Sequence, residues 1–171
     1  MTIDTVKLFA KYNAHANAEM NKILSTLSPE EWTKERGGYF PTFQTLLGHV
    51  YTADVHWLVR FTAHRPFAAV KGAPFDFPPS WSEPPFGGFA EYQSLRARLD
   101  SSLIAFAGEV TEADMVADLA YRNSKGDPFT KNFGGLVFHV FNHQTHHRGM
   151  VALYLDQMGV KNDFSNLNAL F

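Results

Sequence analysis

Cysteine is missing from all 171 residues of the chain. That absence excludes disulfides, thiolate metal ligands and a cysteine nucleophile. Charge is sparse as well, at 19% of residues, with a formal net charge of −2 and no cluster of Lys and Arg. Phosphate backbones are bound by basic surfaces, so nucleic acid is not an expected partner. No stretch of ~18 uncharged apolar residues occurs, which argues against a membrane span. The opening "MTIDTVKLFAKYNAHANAEM" lacks the basic and apolar regions of a signal peptide. A cytoplasmic protein is expected.

What is abundant is apolar and aromatic. Hydrophobic residues make up 45% of the chain, and there are sixteen phenylalanines and eight histidines. The length and composition fit one globular domain, residues 1–171, large enough to bury a core. Four long segments carry helical periodicity, over about Ile3–Leu27, Thr42–Ala63, Phe89–Glu109 and Asn132–Met158. Gly159 follows the last as a helix C′ residue. "SPEEW" predicts a short helix after the first segment, with Ser28 as N-cap, Pro29 at the first position and Glu31 closing a capping box. Between the second and third segments lies "HRPFAAVKGAPFDFPPSWSEPPFGG", a connector long enough to serve as a lid or a site wall. "MVADLAYRNSKGDPFT", with its Lys-Gly-Asp-Pro turn, predicts a small β-hairpin before the last helix. These features predict an all-α fold, a four-helix bundle with one long crossover between the second and third helices.

The chemistry concentrates in "FHVFNHQTHHRGM", residues 138–150, which holds His139, His143, His146 and His147. With His143 at zero on a helical wheel, the other three lie within ~60°, together with Leu136, Val140, Met150 and Tyr154. This stripe is expected to face the interior, where each ring nitrogen needs a partner. On the second long segment His49 shares its face with Thr45, Leu46, Ala53, His56 and Arg60, so it too is expected to point inward. Two facing helices that offer imidazole to one interior can build a metal site. Residues i and i+4 lie ~6 Å apart along the axis and can chelate one ion. Either His139 with His143 or His143 with His147 satisfies that spacing, and periodicity does not choose between them. A single inward histidine is more often a hydrogen-bonded core residue; the pair plus His49 shifts the balance toward metal.

"LLGHVYTADVHWLVRF", "YRNSKGDPFT" and "HVFNHQTHHRGM" together resemble the DinB family of damage-inducible proteins, related to the YfiT-like metal-dependent hydrolases and distinct from the DNA polymerase of the same name. The resemblance implies a four-helix bundle and a divalent metal held by one histidine of the second helix and an i,i+4 pair of the last. Carried onto this chain, those ligands are His49, His143 and His147. The family usually has Gln where this chain has Met150, so a polar contact near the site is missing here.

Three neutral imidazoles leave the ion its full charge and an open position, as in catalytic sites. Zinc is the first expectation and nickel the second. The resemblance also implies use of a low-molecular-weight thiol in S-transfer or isomerisation, and that thiol must come from outside a chain without cysteine. Hydrolysis through water is a further possibility. The rival from another class is a non-catalytic metal-binding bundle of the stress response. Arg60 and Arg148 are weighed as anchors for a substrate carboxylate, but the wheel turns Arg148 toward the surface or a partner helix. Asp54 points away from His49 and is a poor partner for its ring. A far face of the last helix with Phe138, Phe141, Thr145, Gly149 and Ala152 predicts a homodimer, Gly149 being explained by another helix in close approach.

Overall fold

The computed structural model describes residues 1–170. Its described residues form six helices and one two-stranded sheet: α1 (Ile3–Leu24), α2 (Pro29–Thr33), α3 (Phe43–Phe61), α4 (Phe89–Glu109), α5 (Glu112–Val116), β1 (Asp118–Arg122), β2 (Pro128–Asn132) and α6 (Phe133–Gln157). A 3₁₀ turn, Leu167–Leu170, follows. Among the described residues no helix is long and apolar enough to cross a membrane.

Local chemistry sets most of these boundaries. Thr2 caps α1 by accepting from the Thr5 amide, and Thr42 caps α3 in a reciprocal box with Thr45. These bonds satisfy amides that a helix start leaves open. Asn132 caps α6, its side chain accepting from the Gly135 amide at 2.8 Å. Gly159 stands beyond the other end with φ +69°, and the Val160 amide reaches back to the Leu155 carbonyl. Only glycine takes that conformation without a Cβ penalty.

Two expectations at this level are corrected. Ser28 begins α2 but makes no side-chain cap bond. Glu31, expected to close the box, instead gives its carboxylate to Lys34 and Arg36. The hairpin segment, read from Met115, starts its first strand only at Asp118, because Met115 and Val116 end the short helix α5, begun by a Thr111–Asp114 capping box. The hairpin itself is present: β1 pairs antiparallel with β2, Asp118 opposite Asn132 and Arg122 opposite Pro128. Asn123 holds its turn by accepting from the amides of Lys125 and Asp127.

Helix α1 packs on α4 and α6, and α3 packs on the same two. The connector between α3 and α4 is pinned to the core by buried Phe67, Val70, Phe75 and Phe86. Phe67 meets Phe106 at 4.8 Å between ring centroids, and Phe61 meets Phe133 at 4.9 Å. Phe61 also stacks on Phe106 and Phe67 on Phe133, so four phenylalanines join α3, the connector, α4 and α6 in tilted and stacked pairs. Further along, Pro84 crosses α3 at Gly48, where a Cβ would meet the proline Cβ at 3.0 Å. That close approach leads the connector past the residue beside His49.

A second core is polar. Arg96 of α4 donates to Asp54 at 2.6 Å and to Asp100 at 2.7 Å. Asn13 and Asn17 of α1 also donate to Asp100. Gln144 of α6 donates to Asp54, and Arg148 donates to Asn13. All seven side chains are buried. Two carboxylates balance two guanidiniums, which is the condition for ionised groups to persist there.

Candidate metal centre

His49 on α3 and His143 and His147 on α6 converge on one point. Nε2 of His143 lies 3.1 Å from Nε2 of His49 and 3.0 Å from Nε2 of His147. The three ligand atoms all fall within 4.8 Å of one another, close enough to hold one metal ion. An imidazole nitrogen carries either one proton or one lone pair. Nε2 of His143 therefore makes one good hydrogen bond at most, and its second contact stays unmade. A cation where three lone pairs meet satisfies all three nitrogens, so the donor set fits a metal.

Burial and mutual proximity keep these rings neutral. Burial, reinforced by the neighbouring histidines, depresses His143 to about 3. Burial, then His49 and His146, depress His147 to about 4, and burial alone lowers His49. Neutral imidazole is the form that offers a lone pair. Nδ1 of His143 and of His147 is buried and has no hydrogen-bond partner among the described residues, so packing orients the rings. Phe40 stacks on His49 at 4.5 Å and meets His147 edge-on at 5.5 Å. Tyr154 of α6 holds the loop that carries Phe40, its hydroxyl reaching the carbonyls of Gly37 and Phe40. On the other side Trp81 of the connector lies 6.0 Å from His49 and stacks on His56 at 4.7 Å. His56 also bonds the Pro79 carbonyl at 2.9 Å. The connector is thus a site wall, as its length suggested.

Both i,i+4 pairs permitted by spacing lie on α6, but only His143 and His147 join His49. His139 and His146 are exposed. His139 packs its ring on Trp57 at 5.3 Å, and His146 lies beside His147 at 4.9 Å. The expectation that all four histidines face the interior is therefore corrected. The buried residues of α6 include Leu136, Val137, Val140, Phe141, Gln144, His147, Arg148 and Val151. Their arc is centred roughly a quarter-turn from His143. Helix α1 draws it there, through Phe9 on Phe141 at 5.9 Å and through the Asn13–Arg148 bond. His49 and His143 are half-buried and only His147 is buried, so the triad lies in a groove between α3 and α6 at the edge of the core.

Of the two directions the wheel left to Arg148, the structure takes the neighbouring helix and not the surface: the side chain is buried and bonded to Asn13 and Asn17 of α1, and to Gln144 and Thr145 of its own helix. Asp54 makes no hydrogen bond to His49 and serves Arg96 and Gln144, as its direction on α3 suggested. Among the described residues no atom of another element lies within 4 Å of a Cβ placed on Gly149, so none of the described helices explains that glycine. Met150 is half-buried. Phe40, Trp81 and the seven-residue polar core were not foreseen. The polar core had a signal, in the i,i+4 pairs Asn13/Asn17, Arg96/Asp100 and Gln144/Arg148.

Residues 1–168 match the family model described as DinB family. The curated protein "Protein DinB" of Bacillus subtilis (strain 168) is 26% identical over 149 residues, 87% of this chain and 83% of that protein. Among solved structures, a DinB-like protein from Bacillus cereus superposes with a TM-score of 0.60 at 19% identity, covering 90% of this chain and 92% of the other. At that identity the likeness bears on the fold alone.

Proposed function

The chain belongs to the DinB family, and from that premise we propose that His49, His143 and His147 hold a divalent ion, zinc or nickel, in a centre that acts on a small molecule. The observation that carries this reading is the convergence of three Nε2 atoms within 4.8 Å, with no acid or cysteine among them. When bound, such an ion supplies Lewis acidity, enough to make a thiol or a water a nucleophile near neutral pH. The residues of the chain do the rest. Three neutral rings leave the ion's charge uncompensated. Phe40 and Trp81 wall the groove with apolar surface, which restricts water around a reacting group. With no cysteine in the chain, a thiol nucleophile is exogenous.

A metal-dependent S-transferase or isomerase is the reading we favour, and a hydrolase shares the same site. The test is consumption of a small thiol with an electrophile such as a haloarene, by zinc- or nickel-loaded protein. Turnover above the metal-free protein is expected. Turnover equal to the metal-free protein, with thiols and with ester substrates alike, would contradict an enzymatic role. The non-catalytic metal-binding reading rests on one observation, the cover that Phe40 gives two of the three rings, stacked on His49 and edge-on to His147. Bound metal without turnover is its signature.

We read the four long helices as a four-helix bundle of the DinB type, supported by the packing of α1 and α3 on both α4 and α6. We also propose a homodimer through the outer face of α6, where Phe138 and Leu153 are about half exposed and Gly149 has open space beside it. A monomeric mass by light scattering at micromolar concentration would refute it.

A further inference from the structure

The groove between α3 and α6 does not stop at the three imidazoles. His49, His56 and Arg60 share one stripe of α3, all half-buried. The ring of His139 lies 5.9 Å from that of His143, the ring of Trp57 lies 5.3 Å from His139, and the guanidinium of Arg60 lies 4.9 Å from Trp57. A second aromatic ring, Tyr121 of β1, faces the same guanidinium at 5.8 Å. A continuous track therefore runs from the imidazoles to a cation. Arginine on an α-helix leans toward the N-terminus, so the cation lies roughly 10–15 Å from the triad.

Arg60 has no acidic partner among the described residues. Its Nε donates to the Arg122 carbonyl at 3.2 Å, its only hydrogen bond there. Both terminal nitrogens are thus free, and together they form the edge of the guanidinium that takes a carboxylate with two parallel bonds. Every other buried or half-buried arginine is spoken for: Arg36 by Glu31, Arg65 by Asp114, Arg96 by two aspartates and Arg148 by two asparagines. Among the described residues no ion pair reaches the histidines of the groove either; the one that includes a histidine joins His64 to Asp114. Charged neighbours that bear on them are cations, Arg60 on His56 and Lys131 on His139. A divalent ion on three neutral ligands would add two more positive charges. A groove of this sign draws anions.

We propose that the molecule bound at this centre is a carboxylate-bearing one, its carboxylate held by Arg60 and its reactive end at the three imidazoles. The inference rests on the metal reading above. Trp57 and Tyr121 position Arg60 by stacking on it, and Trp57 and His139 form the floor under the intervening atoms. Molecules with a reactive group and a carboxylate about 10 Å apart fit the track; shorter acids reach the metal and not the arginine.

The test uses zinc-loaded full-length protein and titration calorimetry with simple thiols. Zinc is assayed first, in wild type and in Arg60→Gln and Arg60→Lys. Wild type without zinc overturns the metal reading, and this inference with it. With zinc present in all three, wild type is expected to bind mercaptooctanoate about tenfold more tightly than mercaptooctanamide. Mercaptoacetate is expected to show no such advantage over its amide. In Arg60→Gln the preference should disappear while the zinc content holds. Arg60→Lys, which keeps the charge and loses the paired donors, should retain part of it. Equal binding of the long acid and amide by wild type, or a preference that survives in Arg60→Gln, overturns the inference and leaves the metal reading standing.

Discussion

Phe40 shows how much of the site depends on side chains that donate nothing to a metal. With Nδ1 of His143 and His147 unpartnered, the stacking of Phe40 on His49 and its edge contact with His147 take the orienting part that hydrogen bonds usually play. Phe40→Ala is expected to weaken zinc binding about tenfold, measured by competition with a chromogenic chelator. An unchanged affinity would mean the rings need no such support. His139→Ala and His146→Ala should leave the zinc content intact, because neither ring joins the triad; loss of zinc in either would reassign the ligands. At this scale the sequence revealed which residue types to suspect and little about their pairing. His139/His143 and His143/His147 have the same spacing, and only the resemblance to a family chose between them. Arg148 was legible as a contact to a neighbouring helix but not as a buried group, because a wheel centred on the histidines assumes one buried face, whereas α6 is buried by α1 as well as by α3.

Elements whose ends are set by local bonds were legible. The four long helices, the hairpin with its turn at Gly126 and the stop at Gly159 all follow from short-range signals in the chain. The connector was legible as a wall but not in its path, because that path depends on Phe67 meeting Phe106 and on Pro84 meeting Gly48, contacts far apart in sequence. Helix α5 was hidden in a segment too short for periodicity. Its anchor, Asp114, ties the end of α3 to α5, accepting from Arg65 at 2.7 and 2.9 Å and from the Thr111 amide at 2.8 Å, and lying 3.0 Å from Nε2 of His64. The bonds from Arg65 foremost, with those from Thr111 and His64, hold this carboxyl well below the usual carboxylate range. A carboxyl depressed on folding adds stability above its unfolded pKa of about 4 and loses it as pH falls through the folded value. Asp114→Asn is therefore expected to cost about 1–3 kcal/mol at pH 7. The gap between the two proteins should narrow as pH drops below about 4. Urea unfolding at a series of pH values measures both, and a gap that persists unchanged at the acid end would contradict the assignment.

Across the whole molecule, the polar core does what no single helix can. Asn13, Asn17, Asp54, Arg96, Asp100, Gln144 and Arg148 come from α1, α3, α4 and α6, and they meet only when those helices are assembled. Each i,i+4 pair among them reads on its own as a polar face, so their burial was not legible before the helices were packed together. Arg96 is the hub, 1% exposed between two aspartates. Arg96→Ala takes from two buried carboxylates the guanidinium they share and leaves Arg148 as the one cation of the cluster, and it is expected to cost about 3–5 kcal/mol in urea unfolding; a loss under 1 kcal/mol would show that water or rearrangement takes its place. This core fixes α3 against α6 through the Asp54–Gln144 bond, beside His143, and so helps to set the distance across which three imidazoles meet. That meeting is the central claim, and elemental analysis tests it most directly. Untagged wild type and His143→Ala, purified without a metal column, are compared for bound zinc and nickel after dialysis. About one equivalent of metal in wild type and almost none in His143→Ala is the expected result. Equal metal in both proteins, or none in wild type even after zinc and nickel are supplied, would contradict it.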